Sequence, residues 1–155
     1  MARKVYKNRL TVDFCAELLF DIVVDVKKYP EFLSWCQKVE VLSCKDQYII
    51  ADTTINFKGM DFSYVSEIEC KKPGDESDGF VKILSTDGVF KSLYSTWKFY
   101  REGPKKSSVE FYIEYEFRSK VLQLLLNLVY KNAQTKLMLA FFKRAKQLTL
   151  QESSL

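Results

Sequence analysis

The sequence predicts an α+β domain: a curved antiparallel sheet of six to seven strands around a long C-terminal helix, with two short helices after the first strand. Three observations carry this. Apolar residues recur every four positions between Phe14 and Val26, they alternate with polar ones from Val39 to Arg118, and helical spacing returns from Ser119 to about Leu148. The length of 155 residues suits one domain over residues 1–150, leaving 151–155 as a short polar tail.

Arg3 to Val12 reads as a strand, with Tyr6, Leu10 and Val12 in one phase. Asp13 has the side chain of an N-cap for the helix that follows. Phe14, Leu18, Ile22 and Val26 form the helix stripe, with Cys15, Leu19 and Val23 alongside. Lys27-Lys28-Tyr29-Pro30 ends it, because a residue before proline avoids the helical region. Pro30 then suits the first position of a short helix from Glu31 to Cys36.

From Val39 the period is two. Val39 to Ser43 is a strand. Ile49, Ala51, Thr53, Ile55 and Phe57 share the inward phase of the next, and Lys58-Gly59 turns the chain. Met60, Phe62, Tyr64, Ile68 and Cys70 continue the pattern until the loop Lys71 to Gly79. Phe80 to Ser85 is short. Leu93, Ser95, Trp97 and Phe99 share one face, and Val109, Phe111, Ile113, Tyr115 and Phe117 alternate with Glu110, Tyr112, Glu114 and Glu116. Short strands joined by hairpin-length turns make an antiparallel meander. Ser119 can cap the last helix, whose stripe runs Leu122, Leu125, Leu126, Val129, Ala133, Leu137, Ala140, Phe141 and Leu148. Val121, Leu124 and Leu128 are apolar off that stripe and imply a second apolar neighbour.

Composition limits the chemistry. Hydrophobic residues are 47% and aromatics 15%, enough for a packed core. There is no histidine, which removes Ser-His-Asp and Cys-His nucleophile systems, His-ligated zinc and an imidazole base. Cys15, Cys36, Cys44 and Cys70 form no C-x-x-C pair, so no metal site is expected and the four read as reduced, packing cysteines. The basic start, residues 1–9, is not followed by a continuous apolar stretch, and no segment approaches the ~20 apolar residues of a membrane span. A cytoplasmic setting is therefore expected. Charge is uneven: from Arg118 onward seven basic residues face one acid, Glu152. A basic C-terminal segment on a mildly acidic body points to a polyanionic surface, either anionic lipid or nucleic acid.

Several strings occur in a telling order: Phe20-Asp21-Ile22-Val23-Val24-Asp25-Val26-Lys27-Lys28-Tyr29-Pro30-Glu31-Phe32-Leu33-Ser34-Trp35-Cys36, then Phe57-Lys58-Gly59, the strand Phe62 to Glu67, Gly88-Val89-Phe90-Lys91-Ser92-Leu93, and Trp97-Lys98-Phe99. Over roughly residues 3–148 the chain resembles the coenzyme Q-binding protein family of the START-like, helix-grip (polyketide cyclase/dehydrase) superfamily, and its relative, the ribosome-association toxin RatA. Ser34 departs from the proline of the coenzyme Q branch, while Trp35 and Cys36 match that branch better than the toxin branch.

The resemblance implies a helix-grip fold and non-enzymatic binding of ubiquinone or a similar polyprenyl lipid in an apolar tunnel, with no cofactor beyond that ligand. It implies a carrier or chaperone supporting respiratory electron transfer. The alternative it implies is a toxin blocking ribosomal subunit association, and, further off, a cyclase/dehydrase-type enzyme. No catalytic residue is expected: Glu110, Glu114 and Glu116 fall on the polar face, and Asp21 and Asp25 read as solvated helix positions. The tunnel lining is expected from Tyr29, Phe32, Leu33, Trp35, Phe57, Phe62, Tyr64, Phe90, Leu93, Trp97, Phe99, Phe111, Ile113 and Tyr115, closed by Leu122, Leu125, Leu126 and Val129. Hydroxyls of Tyr29, Tyr64 or Tyr115 can meet a quinone carbonyl, although Tyr29 equally suits capping or packing. Val121, Leu124, Leu128, Lys131, Lys136, Lys143 and Arg144, with Lys146, are expected to face an anionic membrane at its inner surface, with a homodimer contact through the same leucines as the competing use.

Overall fold

The computed structural model describes residues 3–129 and 133–153, and of Leu125, Leu128, Val129 and Ser153 the backbone alone. Its strands are β1 (Lys4–Val12), β2 (Cys36–Lys45), β3 (Tyr48–Phe57), β4 (Met60–Lys71), β5 (Gly79–Ser85), β6 (Phe90–Gly103) and β7 (Lys106–Phe117). They form one antiparallel sheet in the order β1-β7-β6-β5-β4-β3-β2. The first strand therefore lies beside the last. Between β1 and β2 the chain crosses the width of the sheet through α1 (Ala16–Val24) and a 3-10 helix (Val26–Glu31). This is the helix-grip α+β arrangement.

Strand alternation sends one side chain in two to the covered face. Ala51, Thr53, Ile55 and Phe57 of β3 are buried, as are Phe111, Tyr115 and Phe117 of β7. A bulge between Phe90 and Ser92 shifts the phase of β6, so that Phe90 and Leu93, three positions apart, both point inward. The Phe57–Met60 hairpin turns at Lys58 (φ 51°) and Gly59 (φ 81°), and the Asn56 carboxamide accepts the Gly59 N–H at 3.2 Å.

Two helices at the C-terminal end cover the sheet: α2 (Lys120–Val129) and α3 (Ala133–Ser153). The sequence reads as one long helix here; residues 130–132 lie outside the described residues. The described part of the expected tail, 151–153, belongs to α3. Two core clusters result. In one, Ala16, Leu19, Phe20 and Val23 of α1 meet Met138, Phe141 and Ala145 of α3 over Phe99, Val109 and Phe111. In the other, Leu122 and Leu126 of α2 meet Ile55, Phe57, Phe90, Tyr115 and Phe117. Trp35, Ile83 and Ile113 pack against both.

The helix boundaries near the N-terminus differ from the sequence expectation. Cys15, not Asp13, is the N-cap of α1, and no side chain caps it; Ser107 instead donates its hydroxyl to the Phe14 carbonyl and ties the helix start to β7. The expected helix at Glu31–Cys36 is replaced by the 3-10 helix, with Pro30 inside it. Tyr29 anchors this segment: its hydroxyl donates to the Val23 carbonyl, one of the orphan acceptors at the end of α1, and its carbonyl accepts the Phe32 and Leu33 N–H groups at 3.2 and 2.8 Å. β2 then begins at Cys36, which leaves residues 32–35 too few for an α-helix.

The turn before β6 depends on Gly88, at φ 56°. A Cβ there would lie 1.9 Å from the Ser63 carbonyl oxygen. Gly88→Ala is expected to lower folding stability by more than ~2 kcal/mol, because strained φ and backbone collision add. Chemical denaturation measures this; an unchanged midpoint would contradict the geometry.

Candidate ligand-binding cavity

The two core clusters do not meet everywhere. Between them, under α3, lies a cavity of about 360 Å³. β3, β4, β5, β6 and β7 supply its floor. The 32–36 segment and α3 supply its roof, through Phe32, Leu33, Trp35 and Cys36 on one side and Leu137, Ala140 and Phe141 on the other. The exposed residues of the wall, Ser34 and Lys136, mark its mouth. A cavity of ~150 Å³ accommodates one benzene, so this one accommodates about 14 non-hydrogen atoms. That is one substituted aromatic or quinonoid ring.

Of the expected lining, Tyr29, Phe32, Leu33, Trp35, Phe57, Tyr64, Phe90, Leu93, Trp97, Phe111, Ile113, Tyr115 and Leu126 are in the wall. Three are elsewhere. Phe99 is fully buried against Phe20, with ring centroids 6.1 Å apart, where α1 covers the sheet. Leu122, on the buried face of α2, packs in the second cluster, and Phe62 packs against the edge of that cluster. The side chains of Leu125 and Val129 lie outside the described residues. The wall also holds groups the sequence reading passed over: Thr53, Ser95, Ile55, Ile83, Phe117, Gln134, Leu137, Ala140 and Phe141. Strand phase marks Thr53, Ser95, Ile55 and Phe117 as inward, and the helix stripe contains Leu137, Ala140 and Phe141. Nothing local marks Gln134.

The expected membrane-facing residues divide. Val121 and Leu124 are 63% and 60% exposed, and Lys143 and Lys146 are exposed. Lys136 sits at the cavity mouth. Arg144 corrects the expectation: its side chain is 15% exposed, with the guanidinium bonded to Glu31 at 2.8 Å and 5.4 Å from the Phe32 ring centre. It clasps α3 to the 3-10 helix. Lys131 and the Leu128 side chain lie outside the described residues.

The interior is polar only through neutral groups. Burial holds the Tyr29 phenol well above its usual pKa, raises that of Tyr115 and pushes Tyr64 up to about 12 and the Cys36 thiol up to about 11. All four carry their protons at neutral pH. No Asp or Glu is among the described lining residues, and among the described residues no His, Cys, Asp or Glu group could hold a metal ion. Two of the phenols, Tyr115 and Tyr29, are partnered, and Thr53 stands opposite the third, Tyr64, in the β3–β4 register. Gln134 donates to the Tyr115 oxygen at 2.8 Å. Tyr29 is engaged with Val23, so its ring lines the cavity while its hydroxyl serves the fold.

The family model described as polyketide cyclase / dehydrase and lipid transport matches residues 12–142. The ribosome association toxin RatA of Rickettsia prowazekii is 33% identical over 129 residues, covering 83% of this chain and 87% of that protein. The mitochondrial coenzyme Q-binding protein COQ10 homolog B of Xenopus laevis is 28% identical over 144 residues, 90% of this chain and 57% of that protein. Among solved structures, the Zhui aromatase/cyclase from Streptomyces superposes with a TM-score of 0.74 at 14% identity, over 94% of this chain and 95% of that one; the likeness is one of fold.

Two outcomes follow from this geometry. At pH 8 about one Cys36 thiol in a thousand is ionised, so iodoacetamide should label exposed Cys44 at least tenfold faster than Cys36 by mass spectrometry, and equal rates would contradict the buried assignment. Tyr29→Phe should cost about 1 kcal/mol or more of stability by leaving the Val23 carbonyl without its donor; unaltered thermal unfolding would show that the bond is dispensable.

Proposed function

We propose that this chain, which belongs to the polyketide cyclase / dehydrase and lipid transport family, binds a polyprenyl lipid such as ubiquinone without transforming it, and acts as a carrier or chaperone for respiratory electron transfer. The cavity carries the reading: an apolar, roughly ring-sized space with a few neutral hydroxyls is the usual form of a small-ligand site. Each buried CH₂-sized group contributes about 0.8 kcal/mol. The described wall offers phenols and a thiol that keep their protons, which supports binding over acid–base turnover.

A polyprenyl tail of several isoprene units exceeds the cavity, so the tail stays outside and the protein works while seated on a bilayer. Lys136, Leu139, Lys143, Lys146 and Leu150 follow at spacings of three and four and share one face of α3. Leu139 and Leu150 are 51% and 59% exposed. This leucine–lysine face starts at the cavity mouth and suits the inner surface of an anionic membrane; each lysine near the headgroups contributes about 1 kcal/mol. Among the described residues no helix is long and apolar enough to cross a membrane, so the contact is peripheral.

A second reading follows from the RatA relatives: interference with ribosomal subunit association, the lysines of α3 meeting RNA phosphates. Interspersed leucines favour lipid over RNA.

Organic extraction of protein purified from its own host, followed by mass spectrometry, is expected to recover a polyprenyl quinone. No recovered lipid together with no binding in titration would sink the first reading. Overexpression that accumulates free ribosomal subunits without a respiratory defect would move the second ahead. Flotation with anionic vesicles should occur, weaken with salt, and drop severalfold in Leu139→Ser with Lys143→Glu. Flotation unchanged in that variant, or lost only with Leu124→Ser alongside loss of a stable dimer, would assign the exposed residues otherwise.

A further inference from the structure

One buried hydroxyl of the cavity wall has no use in the fold. Ser95 is 4% exposed and lines the cavity. It stands opposite Ile83 of β5 and Ile113 of β7. Leu93 and Trp97 precede and follow it on the inward face of β6, and all four of these apolar side chains belong to the wall. The backbone on either side of it is engaged in the β5–β6 and β6–β7 ladders. Among the described residues none forms a hydrogen bond with its hydroxyl. The phenols Tyr29 and Tyr115 differ, being bonded to Val23 and Gln134.

An apolar β-branched residue suits this place in a sheet better. A hydroxyl shut away from water without a partner is destabilising, so a ligand that fills the cavity and excludes solvent has to bond to it. We infer that Ser95 is the polar anchor of the cavity: the ligand's ring enters first, an oxygen on the ring bonds the Ser95 hydroxyl, and the tail leaves past Ser34 and Lys136. A hydroxyl both donates and accepts, so the ring oxygen is a carbonyl or a hydroxyl. A polyprenyl tail entering first would strip solvent from Ser95 and return no bond. Size does not make this choice, because a short stretch of tail fits the same space; the hydrogen bond makes it. The inference rests on the lipid-binding reading above and adds the residue that holds the buried end and the group that end carries.

The test titrates the full chain and Ser95→Ala with a fully substituted, short-tail 1,4-benzoquinone, and with para-cresol and para-xylene, which share one shape and differ by an oxygen. Comparing the same probe in the two proteins cancels its transfer from water. Ser95→Ala is expected to weaken the quinone and para-cresol about three- to tenfold and to leave para-xylene unchanged or slightly tighter. The unliganded variant is expected to unfold at the same temperature as the parent or higher, because the lost hydroxyl has no partner in the protein. A variant that unfolds earlier or fails to fold shows that the hydroxyl serves the fold, and overturns the inference. Quinone affinity unmoved by the substitution, or an unmoved ratio of para-cresol to para-xylene, overturns it while the lipid reading stands. No quinone binding to the parent chain removes the lipid reading and the inference together.

Discussion

Seven strands turn more apolar surface to one side than the helices laid on it can fill. α1 and α3 close over Phe99, Val109 and Phe111, and α2 closes over Phe90, Tyr115 and Phe117. The cover is incomplete: Phe90, Phe111, Tyr115 and Phe117 keep a side toward the gap between the two contacts and form part of the cavity wall. Interiors pack densely wherever side chains can interdigitate, so a space this size persists only if the roof is held off the floor. Two contacts do this. Arg144 fixes α3 to Glu31, and Tyr29, Phe32 and Phe141 form a cluster of tilted rings 5.2 to 5.8 Å apart that props the roof.

The chemistry of the space follows from the same constraint. A wall assembled from the inward phase of a sheet is apolar except where a hydroxyl replaces a methyl, as at Thr53 and Ser95. Charged residues go to the outer face, where Lys7, Glu110, Lys91 and Glu116 pair across neighbouring strands. The interior therefore offers apolar surface and neutral hydroxyls, not charge. The charged side of the molecule is α3, and relatives named for ribosome association and for coenzyme Q binding share the scaffold. The hollow interior and the leucine–lysine stripe are built largely from different faces of α3, and Lys136 at the mouth belongs to both.

The sheet was legible because its signal is repetitive. Strand phase from Ile49 to Phe117 identifies the covered face almost without error, and with it most of the floor. The expected lining failed where the packing of a helix decided the outcome: Phe99 has the right phase but lies under α1, and Leu122 has the right stripe but α2 seats it in the second core cluster instead of over the cavity. Phase tells which way a side chain points and says nothing of what sits above it. The N-terminal caps failed for a related reason. Asp13 was the better local cap, yet α1 starts after Cys15 with no side-chain cap, and what holds its start is the Ser107 hydroxyl, from a strand ninety-odd residues away, on the Phe14 carbonyl. Arg144 was misjudged because a basic residue on a helix reads as solvated until a partner from another element, here Glu31, is in place. Gln134 carried no pattern at all; only its approach to Tyr115 gives it meaning.

The placement of β1 beside β7 also governs how the chain reaches this state. Lys4 pairs with Tyr115 and Val12 with Ser107, so this ladder joins the two ends of the meander across nearly the whole sequence. Closing so long a loop costs entropy that no local contact repays in advance. On the ribosome, β2 to β6 can zip hairpin by hairpin as they emerge, but β1 has no partner until the last strand is out. For most of its synthesis the chain carries an unpaired N-terminal strand and an uncovered apolar face, the state in which strand edges find wrong partners. The basic residues of β1, Lys4, Lys7 and Arg9, with Arg9 bonded to Ser108 and Lys7 to Glu110 once paired, keep that waiting strand hydrated until its partner arrives.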